Sequence, residues 1–87
     1  FERPDTETFR GLALAYEAMK RGGSVPTAYN AANEKAVALF LNRKIKYLEI
    51  SDIIQATMEH CNFYEHPNVE EILATEQEAY EFIGSRW

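Results

Sequence analysis

Apolar residues recur along this chain at spacings of three and four, and glycine, proline or asparagine interrupts the pattern. The outcome is four stretches with the period of an α-helix and none with the two-residue alternation of a sheet strand. In the first, Phe9, Leu12, Ala13, Tyr16 and Met19 share one face. Asp5 or Thr6 can cap its start, and Glu7 suits the positive end of the helix dipole. Lys20 and Arg21 suit the negative end, and Gly22 or Gly23 offers the left-handed residue that closes a helix. Arg3 precedes Pro4 and is steered away from helical backbone, so residues 1–4 read as the end of a linker.

The second stretch is expected to begin near Ser24, with Pro26 tolerated in its first turn. Tyr29, Ala32, Ala36, Val37 and Phe40 make its stripe for burial, widened by Leu39 and Leu41. Small side chains at Ala28, Ala31, Ala32, Ala36 and Ala38 let neighbouring backbones come close, which predicts that this helix is central. It should fray at Asn42 or Arg43. Ile45, Tyr47, Leu48 and Ile50 then read as an extended connection lying on the core.

Ser51 is the expected cap of the third helix, with Asp52 just inside it and Ile53, Ile54, Thr57, Met58 and Cys61 facing inward. Residues 62–67 turn the chain. Asn68 and Glu71 have the spacing of a capping box that opens the fourth helix. Its inward face should be Ile72, Leu73, Ala79, Tyr80, Phe82 and Ile83, with Gly84 at its end. The expected fold is all-α: a small four-helix bundle with short connections over residues 5–84, and a tail at 85–87.

Composition narrows the function. Eighty-seven residues leave room for one domain. Fourteen acidic residues against nine basic give a net charge of −5, which opposes binding to nucleic acid or an acidic membrane. The basic clusters, Lys20-Arg21 and Arg43-Lys44-Ile45-Lys46, fall at expected helix ends. A single cysteine, Cys61, excludes an internal disulfide. Residues 22–32 carry no charge but are broken by glycine and proline and are too short to span a bilayer. A start at Phe1 rather than methionine suggests a fragment or a processed chain.

Candidate chemistry is sparse. His60, Cys61, Glu65 and His66 cluster in sequence but lack the paired spacing of zinc ligands, so an inert thiol and two solvent-facing histidines are expected. Gly22-Gly23-Ser24 precedes a helix start, as anion sites do. It lacks the lysine and glycine spacing of a phosphate loop, and one helix end followed by one helix start explains it. Glu70, Glu71, Glu76, Glu78 and Glu81 read as a solvated face.

Asn30, Asn33 and Glu34 are the anomaly. Asparagine competes with helical backbone for hydrogen bonds, yet two of them sit early in a helix beside a carboxylate, spaced so that all three side chains can meet. A structural polar network is one reading and a binding or catalytic cluster the other. The lack of an accompanying base, nucleophile or metal partner favours the network.

Around these residues a resemblance emerges. Residues 28–41, AYNAANEKAVALFL, look like the signature helix of the C-terminal domain of the 1-deoxy-D-xylulose 5-phosphate reductoisomerase family. The likeness extends to residues 1–5, to Phe9, Leu12 and residues 14–18, to the Gly22-Gly23 turn, and to Ile45, Tyr47, Leu48, Ile50, Ile53 and Ile54. It covers most of residues 1–83 and is strongest from Leu12 to Ile54. Arg10-Gly11 departs from the family's more usual proline and small residue.

The resemblance implies a piece of a larger enzyme. The parent converts 1-deoxy-D-xylulose 5-phosphate to 2-C-methyl-D-erythritol 4-phosphate in the non-mevalonate isoprenoid route, using NADPH and a divalent metal, Mg or Mn. Those groups bind in its cofactor-binding and catalytic domains, and no catalytic, cofactor or metal residue is expected in this chain. The implied partners are those domains of the same parent chain, in the bacterial cytoplasm or a plastid stroma. The face that meets them should be an exposed apolar patch through which the isolated piece can self-associate, with Phe1, Tyr47, Phe63, Tyr64 and Trp87 as candidate members. The alternative is an autonomous helical protein-interaction module.

Overall fold

In a computed structural model the chain is described from Thr6 to Trp87, with side chains from Phe9 onward. Expectations about the linker at 1–4, Asp5, Phe1 and the side chains of Thr6 and Glu7 lie outside the described residues. Four helices follow one another: α1 (Thr6–Arg21), α2 (Val25–Leu41), α3 (Glu49–His60) and α4 (Val69–Arg86). No strand occurs among the described residues. The Cα atoms fill a slab of 46 × 27 × 16 Å. Helices pack at roughly 8–10 Å, so that thickness holds two layers.

The alanine-rich helix is central, as its composition predicts. Ala28, Ala31, Ala32 and Ala36 are buried, and α2 packs against each of the other three helices. The α2–α3 pair forms the middle of the molecule, where Ile53, Ile54 and Met58 of α3 meet Ala32 and Ala36. α1 and α4 each lie against that pair and, among the described residues, do not touch each other. α4 enters the core through Ile83 beside fully buried Ala79 and Thr75, and Thr75 satisfies its hydroxyl on the Glu71 carbonyl at 2.9 Å.

Two junctions explain the helix ends. Gly22 and Gly23 are both left-handed, with φ of 68° and 58°. Ser24 does not cap α2 with its side chain. Its Oγ instead accepts from Tyr64 N at 2.9 Å and donates to Asn62 O at 3.4 Å, while its own N–H donates to Tyr64 O at 2.8 Å. The α1–α2 turn is thereby clipped to the α3–α4 connection. At the far end of α2, Arg43 N donates to Phe40 O and Lys44 N to Leu39 O, both at 2.9 Å, with Arg43 at φ 61°. This is a Schellman closure with arginine in the position that glycine usually takes.

Several boundaries and faces differ from expectation. α3 begins at Glu49, so Ser51 lies inside the helix and is buried rather than capping it. Tyr47 and Leu48 are exposed, and only Ile45 of that connection is buried. The Lys46 N–H donates to the Glu49 carboxylate at 2.7 Å, and Glu49 N to Lys46 O at 2.9 Å, so a tight turn replaces the expected extended crossing. Asn68 and Glu71 form the expected capping box, with reciprocal bonds of 2.8 and 3.1 Å. Leu73, however, faces solvent, and α4 continues past Gly84 to Arg86. Among the described residues no helix is long and apolar enough to cross a membrane.

Candidate functional site

The largest departure is on α1. Phe9, Leu12, Tyr16 and Met19, read from sequence as part of one packing face, are 58, 51, 74 and 76% exposed. The helix instead buries Ala18, half-buries Leu14 and turns the small residues Gly11 and Ala15 toward its neighbours. Successive residues on a helix rotate by about 100°, so Leu14, Ala18, Gly11, Ala15, Met19, Leu12, Tyr16 and Phe9 occupy a continuous arc of roughly 220°. A surface helix needs an apolar stripe of only about 100°. α2 and α3 cover the narrow half of the arc, and the bulky half is left bare.

Arg10 ties α1 to α3 at the surface. Its guanidinium spans two α3 side chains, with Nη1 2.7 Å from the Asp52 carboxylate and Nη2 donating to Gln55 Oε1 at 2.7 Å. Beside it Gly11 lines a hollow of about 240 Å³. The same hollow is lined by Tyr29, Asn33 and Val37 of α2, by Tyr47, and by Ile50, Ser51 and Ile54 of α3. A second hollow of about 150 Å³ lies between α1 and α2, where Ala15, Ala18 and Met19 face Pro26, Tyr29 and Asn30. Tyr29 belongs to both. Arg10 and Gly11, the departure from the family pattern, thus sit within α1 at its seam with α3 and α2 rather than at its start.

Asn30, Asn33 and Glu34 are all exposed. They separate into two uses. Glu34 Oε1 accepts the Tyr80 hydroxyl at 2.7 Å, tying α2 to α4. That bond, with lesser contributions from burial and the charges of Glu34 and Glu76, raises the Tyr80 pKa above the usual phenol range. Asn30 and Asn33 instead line the two hollows beside α1, one in each.

The remaining candidates do not assemble a reactive centre. The His60 ring stacks on Phe82 at a centroid distance of 4.1 Å, and His66 lies 3.8 Å from Glu65. Burial, and secondarily the nearby Glu78 carboxylate, pushes the Cys61 thiol up to about 11, so it stays protonated at neutral pH. Among the described residues no group of three His, Cys, Asp or Glu side chains converges as a metal site would require. These residues therefore do not fit the divalent metal that the family resemblance implies for the parent. In the Gly22-Gly23-Ser24 turn the Gly22 N–H donates to Ala18 O and the Ser24 N–H to Tyr64 O, as in a structural junction.

Of the aromatics expected on an outer face, Tyr47 and Phe63 are exposed and Tyr64 is half-buried. Trp87 packs edge-on to Phe82 at 6.1 Å and belongs to the core margin. A further bare surface is the α1 stripe, marked in the sequence by the width of its apolar arc; Val37, Phe40 and Leu41, expected in the buried stripe of α2, are exposed too.

Residues 1–82 match the family described as DXP reductoisomerase C-terminal domain. The whole chain is 66% identical to part of the 1-deoxy-D-xylulose 5-phosphate reductoisomerase of Agathobacter rectalis and 59% identical to part of that of Lachnospira eligens. The Bacteroides thetaiotaomicron enzyme of the same name is 53% identical over 79 residues, 91% of this chain and 20% of its own. The chain spans about a quarter of the Agathobacter and Lachnospira proteins, 23% of each. No solved structure matches it. With the family matched over nearly its full length and relatives this similar, the chain belongs to the DXP reductoisomerase C-terminal domain family.

Proposed function

We propose that this chain is the C-terminal helical domain of a 1-deoxy-D-xylulose 5-phosphate reductoisomerase, inactive alone, and that it braces the domains where catalysis occurs. The observation that carries the reading is the bare apolar half of α1 in a chain about a quarter as long as its relatives. Four large apolar side chains on one helix edge form a surface suited to further burial rather than to water. In this reading NADPH and the divalent ion bind elsewhere in the parent, which works in the bacterial cytoplasm. Of the three residues expected to form a structural polar network, Glu34 ties α2 to α4 through Tyr80, Asn30 and Asn33 serve docking, and none of them handles substrate.

Three preparations test this: the 87-residue chain, a full-length reductoisomerase truncated before it, and their mixture. Oxidation of NADPH with 1-deoxy-D-xylulose 5-phosphate should be absent for the chain alone, strongly reduced for the truncated enzyme and partly restored in the mixture. Turnover by the chain alone, or full activity in the truncated enzyme, would overturn the proposal.

A further inference from the structure

We infer that the face shared by α1 and α2 is the seat of the preceding part of the parent chain, and that Asn30 and Asn33 fix the register of that contact. The inference rests on the supporting role proposed above and assigns it a surface. The occupant follows from length and direction. A C-terminal domain that makes up 23% of its relatives is preceded by the remainder, which would join the molecule at the start of α1. The bare stripe begins at Phe9, close to that entry, and runs along the helix to Met19.

The rest of the face continues from that stripe. Its two hollows lie against α1 and meet at Tyr29, giving an incoming apolar surface two places for side chains to enter. Asn33 lines one and Asn30 the other. Among the described residues neither carboxamide has a hydrogen-bond partner, whereas neighbouring Glu34 is engaged by Tyr80 on the opposite flank. A carboxamide both donates and accepts, so it can pair with either polar group of a backbone laid over it. Two such groups on an otherwise apolar surface select one alignment of the incoming chain, because any other would cover them unpaired. This accounts for two asparagines in a helix where the fold itself gives them little to do.

The opposite edge is more polar. α4 exposes Val69 and Leu73 near its start but otherwise turns Glu70, Gln77 and Glu81 outward, and no α4 residue lines either hollow. The occupant is therefore an apolar surface with exposed backbone or amide groups, covalently continuous with α1.

Methionine oxidation by dilute peroxide, read by peptide mapping, tests the seat in the intact full-length protein. Met19 is 76% exposed in this domain and Met58 4%, so Met58 is an internal reference. In the isolated chain at low concentration Met19 should oxidise much faster than Met58. In the full-length protein the two should become similar, and an N30A/N33A variant should speed Met19 oxidation again by roughly 2- to 12-fold per lost hydrogen bond. Equal Met19 oxidation in the isolated chain and the full-length protein would overturn the inference. So would concentration-dependent protection in the isolated chain, since a second copy would then be the occupant. Met19 left reactive in a full-length enzyme that still loses activity on truncation would sink the assigned face alone; Met19 protected in one that tolerates truncation would sink the supporting role alone.

Discussion

α1 and α4 hold equivalent places in this molecule and have opposite outer surfaces. Each packs on the α2–α3 pair, and among the described residues neither touches the other. α4 meets the core through Ile83 beside Thr75 and Ala79 and gives carboxylates to water. α1 reaches the core through Ala18 and Leu14 and leaves its largest apolar side chains outside. The difference teaches that hydrophobic periodicity locates a helix without saying which part of a wide apolar arc this domain will cover. α4 leaves two large apolar side chains bare, Val69 and Leu73, whereas α1 leaves four, the stripe proposed above for a second burial.

The two edges are joined by the clip between Gly23-Ser24 and Tyr64, and breaking it should have the largest effect. A Cβ on Gly23 would lie 2.3 Å from the Tyr64 carbonyl oxygen, and the residue also has φ of +58°. Neither obstacle is a flexible side-chain tip. Gly23→Ala should cost about 3–5 kcal/mol, from left-handed strain and the clip's lost hydrogen bonds. Gly22 has a similar φ of +68° but open space around it, so Gly22→Ala should cost only about 1–2 kcal/mol. Urea melts of both variants check this, and equal losses would mean that close approach to Tyr64 is unimportant.

Truncating one apolar residue on each edge sharpens the contrast. Ile83→Ala removes a fully buried side chain from the seam of α4 and should cost about 2–4 kcal/mol. Leu12→Ala on α1 should change the stability of the isolated chain by less than about 0.5 kcal/mol. In the full-length protein the Leu12 variant should become measurably destabilising, because the residue is then covered. Thermal melts of both proteins separate an edge completed within the domain from one completed by the parent.

Much of this was legible in the sequence. Four helices, the Asn68–Glu71 capping box, the left-handed glycines and the central alanine-rich helix follow from spacing and turn chemistry that act over a few residues. The failures are tertiary. Ser51 was the expected cap because serine favours that position, but the turn held by Lys46 and Glu49 starts α3 three residues earlier. Arg43 carries no signal because the left-handed closure of α2 occurs without glycine. Asn30 and Asn33 were legible as anomalies, yet only the fold separates them from Glu34, which α4 engages. Phe9, Leu12, Tyr16 and Met19 were read inward because the pattern does not distinguish a partner within the domain from one beyond it.

Cys61, at the end of α3 beside α4, gives a pH-dependent comparison. Burial raises its pKa from 9.0 to about 11, so the thiolate forms more readily in the unfolded chain than in the folded one. The folded state binds more protons between those values, and stability must fall as pH rises through them. Melts from pH 8 to 11 should show this loss in the native chain and less of it in a Cys61→Ala variant. An unchanged pH slope in the variant would show that the thiol is not the group responsible.

The smallest effects lie in the exposed polar ties that hold each edge helix. Arg10 fastens α1 to α3 through Asp52 and Gln55, and Tyr80 fastens α4 to α2 through Glu34. Both are open to solvent, so Arg10→Ala should cost about 0.2–1 kcal/mol and Tyr80→Phe less than about 0.5 kcal/mol. Their responses to solution conditions should differ in kind. Salt screens the Arg10–Asp52 attraction, and half-molar chloride should remove most of that variant's effect while leaving the neutral phenol's bond largely intact. The Tyr80 pKa is raised on folding by its bond to Glu34, so its contribution is present below the ordinary tyrosine value of 10.0 and is lost as pH climbs beyond it. A double comparison of native and variant melts, at low and high salt and at pH 8 and 11, should therefore loosen α1 by salt and α4 by base. If both ties weakened together under either condition, the two edges would be a single cooperative unit rather than separately fastened helices.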